Sequence, residues 1–376
     1  LTLGRMPKGL EVARGLAAAG CEVMVADPHR THVARHSNAV SRSFRVTAPA
    51  TSPDGFVEDL LRIVREERVD LVVPVSEESV HVARMVDHLP EGVRFFGAGF
   101  QTARALHDKY RFNRLAADLG LPVPETALLD SAEARGLADR LPTIVKPVHG
   151  SAGIGLHRVE PGGALPTTTA RPSLVQERLT GRELSAIAVV FEGHCAGLAV
   201  YRGTIMSDSV AIAFERVDTA KPIEDWIRRF ALETEYTGFL SFDFFEAEDG
   251  SAQAIECNAR LTSGIHFLEP EAVGRFLLHP DRTTLIPPKQ RRRFQHVFPC
   301  LGVTEMSLIK GGFRKNLDAF LSSADVTWSR KDPMPLVMMN FCAYPIIRQW
   351  MGGKMSLAEA AITDVEWREP EADAGV

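Results

Sequence analysis

Through the first hundred or so residues, continuous apolar runs alternate with stretches of helical spacing. Residues 21–27 (CEVMVAD), 69–75 (VDLVVPV) and 93–97 read as buried strands. Leu1–Leu3 reads as the end of another, followed by the turn GRMPKG. Residues 10–19, 55–67 and 79–89 repeat apolar side chains every three or four positions, as amphipathic helices do. Strands that are apolar throughout and separated by helices belong to a parallel sheet covered on both faces. Residues 1–105 are therefore expected to form a Rossmann-like unit.

The rhythm then changes. Residues 109–120 read as a helix with a glycine stop, 143–148 as a strand, and 149–155 (HGSAGIG) as a glycine-rich turn. Residues 174–177, 183–191 and 195–201 alternate with the period of antiparallel strands. A helix is expected over 222–235. Strands are expected over 238–246 and 252–257, joined by the turn Glu248-Asp249-Gly250. Residues 281–300, rich in Pro and Arg, read as a linker or surface loop. Beyond them, helical spacing is confined to about 316–322 and 355–361.

Composition narrows the classes. The chain has 376 residues, 45% apolar and 24% charged, which excludes a disordered or disulfide-stapled protein. A net charge of −5 offers no basic field for nucleic acid. The short cluster Lys289–Arg293 reads as a solvated loop. No apolar stretch is long enough to span a membrane. The five cysteines are scattered, without CxxC or zinc spacing, as expected of reduced thiols in the cytoplasm. No signal peptide is read, and the opening Leu-Thr-Leu-Gly reads as a first strand only partly present. Only nine of the 43 basic residues are lysine, so a lysine inside a motif is informative.

Three segments carry candidate chemistry. Lys146 stands near the end of a strand, and Gly150, Gly153 and Gly155 follow. Glycine-loop N–H groups and a lysine suit a phosphate, although the same pattern serves a plain hairpin turn. The stretch Gln176-Glu177-Arg178-Leu179-Thr180-Gly181-Arg182-Glu183 joins two strands. Its backbone could read an adenine edge and a following acid could hold a ribose, or it could be a solvated loop. Asp243 lies among phenylalanines in SFDFF, and Glu256 and Asn258 share a face in IECNAR. Two carboxylates and an amide make a hard oxygen set suited to Mg²⁺. The competing reading is a structural salt bridge with Arg260.

In this order, over residues 1–268, the segments resemble the ATP-grasp superfamily, nearest to carboxylate–amine ligases of the carbamoyl-phosphate-synthase-like and amino-acid-ligase type. The resemblance implies an α/β and α+β fold. A Rossmann-like pre-ATP-grasp domain (1–105) precedes a two-lobed ATP-grasp fold, with a small lobe (106–181) and a large lobe (182–290). An unassigned extension (291–376) follows. It implies ATP held by Lys109, Lys146 and the loop His149, Gly150, Ser151, Ala152 and Gly153. The adenine would lie along Gln176, Glu177, Arg178 and Leu179, and the ribose on Glu183. Mg²⁺, with Mn²⁺ as an alternative, would sit on Asp243, Glu256 and Asn258. Arg260 would face phosphate and act with Lys146 in catalysis. Ala259 departs from the family, which carries proline there.

The resemblance implies a cytoplasmic ligase of biosynthesis that activates a small-molecule carboxylic acid as an acyl phosphate and joins it to an amine. No nucleic acid or membrane partner is expected, and a homodimer is one candidate assembly. A thiol or ammonia acceptor and a nucleotide-binding protein without turnover are the alternatives. A nicotinamide oxidoreductase would require a GxGxxG that residues 4–9 do not supply. Asp27 nevertheless ends its strand as a ribose-binding acid would. Glu77 and Glu78, at the end of VDLVVPV, are candidates to face a cationic amine or to start a helix. His266 and His149 read as candidate bases or as packed residues, and Cys257 as core.

Overall fold

In the computed structural model the described residues are 1–150, 156–167, 169, 171–207, 210–218, 220–353 and 355–368. The N-terminal unit contains two parallel strand pairs, Met24–Asp27 with Arg42–Arg45 and Leu71–Val72 with Arg94–Phe95. Leu1–Leu3 runs between them. The Leu1 carbonyl accepts from the Ala26 N–H at 2.9 Å, and the Thr2 N–H donates to Val73 at 3.3 Å. Helices Pro7–Ala18 and Pro53–Glu66 follow the expected spacing, and the second is N-capped by Ser52. The helix expected over 79–89 is broken into Ser79–Ala83 and the tighter turn Val86–His88.

The helical crossing of Pro7–Ala18 with Pro270–Leu278 is close enough to exclude side chains. A Cβ at Gly15 would lie 2.1 Å from the Pro270 carbonyl oxygen, and one at Gly274 only 2.0 Å from the Gly15 oxygen. Glycine serves here because the backbones touch.

Two further sheets follow. A four-stranded sheet has the order Thr126–Leu128, Ser173–Glu177, Thr143–Pro147, His157–Val159. A seven-stranded sheet has the order Ala252–Asn258, Gly238–Glu246, Arg182–Phe191, His194–Ser207, Val210–Val217, Arg293–Gln295, Ala324–Asp325. The three alternating segments after residue 173 are thus divided: the first belongs to the small sheet and the other two to the large one. Period-two patterning reports which side chains share a face, not which sheet a strand joins. The stretch 281–300 is also not all loop, because Arg293–Gln295 extends the large sheet and the helix Val297–Lys310 begins directly after it.

The large sheet is apolar on both faces, and its alternation assigns each residue. Ala186, Ala188, Val190, Leu240, Phe242 and Phe244 pack against helix Lys221–Glu233 and Phe112. Trp226 stacks on Phe230 at 5.3 Å and meets Phe242 edge-on at 5.0 Å. Ile187, Val189 and Phe239 point the other way, into a core shared with Leu3, Val75 and Phe267. The N-terminal unit is therefore cemented to the large sheet by a common core. The C-terminal stretch also returns to that unit, since Asp364 pairs with Arg5 at 2.7 Å and Trp367 packs on His81.

Candidate active site

Asp243 and Glu256 stand directly opposite each other across the antiparallel ladder of Gly238–Glu246 and Ala252–Asn258, and Ser241 is opposite Asn258. These four side chains share one face, while Phe242 and Cys257 are buried on the other. Just beyond the carboxylate pair the ladder slips: Phe244 lies opposite Ala254, and Ile255 is left over. A bulged residue loses its ladder partner and frees its backbone groups. The freed Ile255 carbonyl accepts from Lys146 Nζ at 3.3 Å. Ser185 is Asp243's partner on the neighbouring strand, and its hydroxyl donates to Asp243 Oδ1 at 2.6 Å.

Lys109 is the first residue of helix Lys109–Asp118, whose N-cap Asp108 accepts from the Arg111 N–H at 2.9 Å. That start aims Lys109 Nζ at Glu256 Oε1, 3.5 Å away, and at the Gly150 carbonyl. Two nearly buried ammonium groups thus meet two carboxylates. Burial pushes the Asp243 carboxyl up to about 6, with Glu256 adding to the rise. Burial also brings Lys146 down to about 8, against the pull of Glu256. Both groups are poised for a counter-charge they do not fully find in each other.

Arg260 donates to Asn258 Oδ1 at 2.8 Å and pairs with Glu77 at 2.6 Å. The salt-bridge alternative for Asp243 and Glu256 is thereby corrected, since Arg260 is held by Glu77 from the N-terminal unit. Glu78 has a different role. Its carboxylate accepts from the Val75 and Ser76 N–H groups and from the Thr2 hydroxyl, closing the strand end. Asp27 is likewise not available to a ribose, because it accepts from the Gly4, Arg5 and His29 N–H groups and from the Arg5 guanidinium.

The remaining candidates are spread around this centre. His149 stacks on His107 at 5.6 Å, with its Nε2 3.8 Å from Asp108, and Gly150 has a φ of +134°. Ser151, Ala152 and Gly153 lie outside the described residues. Gln176 is buried and donates to Thr126 inside the small sheet, and Arg178 pairs with Glu160. The N–H groups of Glu177 and Arg178 already donate to Glu125 and Pro142. Leu179 is half-buried in the linker to the large sheet. Glu183 is exposed, on the strand that carries Ser185, and its charge raises Asp243 further.

Sequence reasoning missed two members. Ser185 could have been found from its two-residue spacing from Glu183. The other, Lys8, donates from Nζ to the Leu261 carbonyl at 2.8 Å, beside Arg260. Burial brings its ammonium down to about 7, and Arg260 pushes it the same way. The scarcity of lysine was the signal for it.

His266 is a packed residue. Its Nδ1–H donates to Glu11 at 3.1 Å, and Lys289 pairs with the same carboxylate. Burial pushes the Glu11 carboxyl up, but the His266 hydrogen bond and the Lys289 charge outweigh it and bring it down to about 2. A carboxyl depressed in the folded state contributes stability above its unfolded pKa, lost as pH falls through the folded one. Glu11→Gln is therefore expected to cost on the order of 3 kcal/mol at neutral pH. Urea unfolding of both proteins should show the gap unchanged down to about pH 4.5 and closing towards about pH 2.

Among the described residues no three His, Cys, Asp or Glu side chains gather into a metal cage. The oxygen set at the strand pair is two carboxylates and one amide. That set fits Mg²⁺, which takes few protein ligands and keeps water or phosphate oxygens in its remaining positions. A cavity of about 380 Å³ in the N-terminal unit, between residues such as Met24, Phe44 and Val64, includes none of these residues. No helix among the described residues is long and apolar enough to cross a membrane.

Residues 106–264, which carry both lysines and the strand pair, match the sequence profile of the ATP-grasp domain. Residues 106–264 thus form an ATP-grasp domain. The chain is 25% identical over 238 residues to the carbamoyl phosphate synthase large chain of Methanothermobacter thermautotrophicus, covering 56% of this chain and 22% of that one. It is 35% identical over 140 residues to the D-alanine–D-alanine ligase of Mycolicibacterium vanbaalenii, covering 34% of this chain and 38% of that enzyme. The chain thus spans less than half the length of these relatives. Its fold resembles N5-carboxyaminoimidazole synthetase from Staphylococcus aureus (TM-score 0.62, 12% identity, 83% of this chain and 85% of that one). It also resembles the biotin carboxylase domain of the Hydrogenobacter thermophilus 2-oxoglutarate carboxylase, solved as a dimer with MgADP, ADP and bicarbonate (TM-score 0.60, 14% identity, 76% and 70%).

Proposed function

We propose that this protein is a Mg²⁺-ATP-dependent ligase that activates a carboxylate as an acyl phosphate and joins it to an amine, releasing ADP and phosphate. The observation that carries the reading is the convergence of Lys109 and Lys146 on the Asp243–Glu256 pair, from four separate elements. Such an arrangement is costly unless a ligand uses it, because buried charges that are incompletely paired destabilise a fold. A polyphosphate between the lysines and a divalent cation on the carboxylates would satisfy both sets of charges.

In this reading Asp243, Glu256 and Asn258 hold the cation. When bound, it supplies charge neutralisation to the phosphate oxygens. Lys109 and Lys146 bind phosphate oxygens and orient the nucleotide. The substrate carboxylate oxygen attacks the terminal phosphorus and ADP leaves. Arg260, released from Glu77, stabilises charge on the transferring group. The amine then adds to the acyl carbon, phosphate departs, and the amine's proton is lost to solvent. The linker at Gln176–Leu179 with Glu183 is assigned to the nucleoside, and His149–Gly153 to the phosphates.

The test is nucleotide turnover with a panel of carboxylic acids and amines. ADP and inorganic phosphate formed in an amine-dependent reaction are expected. AMP and pyrophosphate would exclude acyl phosphate chemistry.

A further inference from the structure

Lys8 stands where elementary electrostatics disfavours a cation. It is the second residue of helix Pro7–Ala18, whose first turn carries no acid. The N-terminal end of a helix favours anions and disfavours cations. The Lys8 ammonium donates to one neutral group, the Leu261 carbonyl, at 2.8 Å. Among the described residues no carboxylate lies within ion-pairing distance of it. The two acids whose charge it feels are engaged elsewhere. Glu77 pairs with Arg260 at 2.6 Å, and Glu78 accepts from the Val75 and Ser76 N–H groups. Burial and then the Arg260 guanidinium push the Lys8 ammonium down to about 7, and the acids do not restore it.

The fold fixes this position. Pro7 presets the backbone of the first helical turn. A Cβ at Gly9 would lie 2.8 Å from the Leu3 carbonyl oxygen, so the helix start is pressed onto the strand that precedes it. Lys8 is therefore held at the carboxyl end of Leu1–Leu3, the edge of an open α/β sheet at which ligands bind. Lys8 and Arg260 are both half-buried, so neither is closed to solvent. An anion arriving in front of them would answer the helix end and the uncompensated charge at once.

We infer that Lys8 sets specificity by binding a second carboxylate of the acid substrate, one that is not phosphorylated, so that the substrate class is dicarboxylic acids. The inference rests on the ligase reading above and deepens it. In that reading Lys109, Lys146 and the cation answer the charge of the nucleotide, and Arg260 answers the phosphoryl group in transfer. A monocarboxylate brings no charge beyond these, and Lys8 would stay uncompensated. A second carboxylate on the Leu261 side of Arg260 meets it. The competing partner is Glu77, which loses Arg260 when that guanidinium turns to the phosphate. The Glu77 side chain is only 5% exposed, whereas Lys8 is open to solvent, so a substrate anion reaches Lys8 without moving the buried acid.

Calorimetric titration of the full chain, with and without MgADP, against succinate and butyrate and against glutarate and valerate tests this. Each diacid should bind about 10–100-fold more tightly than the monoacid of the same length. Lys8→Met should abolish that difference, and Lys8→Arg, which keeps the charge, should retain most of it. Equal affinities in the parent overturn the proposal, as does a parent that binds neither diacid at up to about 10 mM. A Lys8→Met protein that binds diacid and monoacid more weakly by the same factor would assign Lys8 to Glu77 or to packing, and also overturns it. Affinity is read here without turnover. Failure to form ADP from any acid would therefore count against the ligase reading, separately from the diacid preference.

Discussion

Glu256→Gln is expected to lower turnover by about 10²–10³-fold while changing nucleotide affinity by no more than about threefold. The substitution keeps the side chain's size and its place opposite Asp243 but removes the charge 3.5 Å from Lys109. If Glu256 holds a cation against the transferring phosphate, the loss is felt most when negative charge is redistributed, in the transition state. Excess Mg²⁺ should restore little. Asp243→Asn should act in the same direction. The competing account makes these acids structural and predicts a stability loss with turnover intact. For Asp243 the geometry argues against it, because Arg260 is engaged by Glu77 and burial already pushes Asp243 up to about 6, whereas Glu256 has an ion-pair partner in Lys109. An amide in place of Asp243 removes a poorly solvated charge, so the apoprotein should melt no lower than the parent near neutral pH. Measuring the melting midpoint and kcat on both variants decides the matter. A lowered midpoint with near-normal turnover would remove the metal assignment and most of the ligase reading.

Lys146→Ala is expected to weaken ATP binding about 10–100-fold and to reduce turnover with it, while the protein stays folded. Lys146 is 8% exposed, at the end of Thr143–Pro147, and its ammonium is steadied by the one carbonyl that the strand bulge sets free. Burial holds it down to about 8. Bound phosphate would raise that value again, so ATP affinity should fall above about pH 8 in the parent but not in the variant. Calorimetric titration of nucleotide across pH 7–9 checks both statements. Unchanged ATP affinity in a folded Lys146→Ala protein would show that this lysine does not touch phosphate. Lys109→Ala should follow the same direction, with an added effect from the loss of its Glu256 contact.

The face shared by Asp243, Glu256 and Asn258 was legible in the sequence, because alternation along a strand is a local property. So was the place of Lys146 near a strand end, before the glycines, whereas Lys109 was singled out by the family resemblance. The strand and helix sequence of the N-terminal unit was legible for the same reason, as a 3.6-residue period broken by apolar runs. Helix Val297–Lys310 escaped notice because Cys300, Thr304 and Ser307 face inward while Leu308 and Ile309 face out, which scrambles the usual pattern.

Only the tertiary structure decided which partner each charged group takes. Asp27, Glu77 and Glu78 look alike in the sequence, as acids at strand ends. The fold spends Asp27 on Arg5 and the turn amides, spends Glu78 on closing its own strand, and extends Glu77 to Arg260, 183 positions further on. The bulge that offers the Ile255 carbonyl to Lys146 exists only as a register between two strands. Local periodicity fixes the direction in which a side chain points, through bonded geometry alone. What it meets there depends on contacts between residues distant in the chain, and no local pattern carries that information.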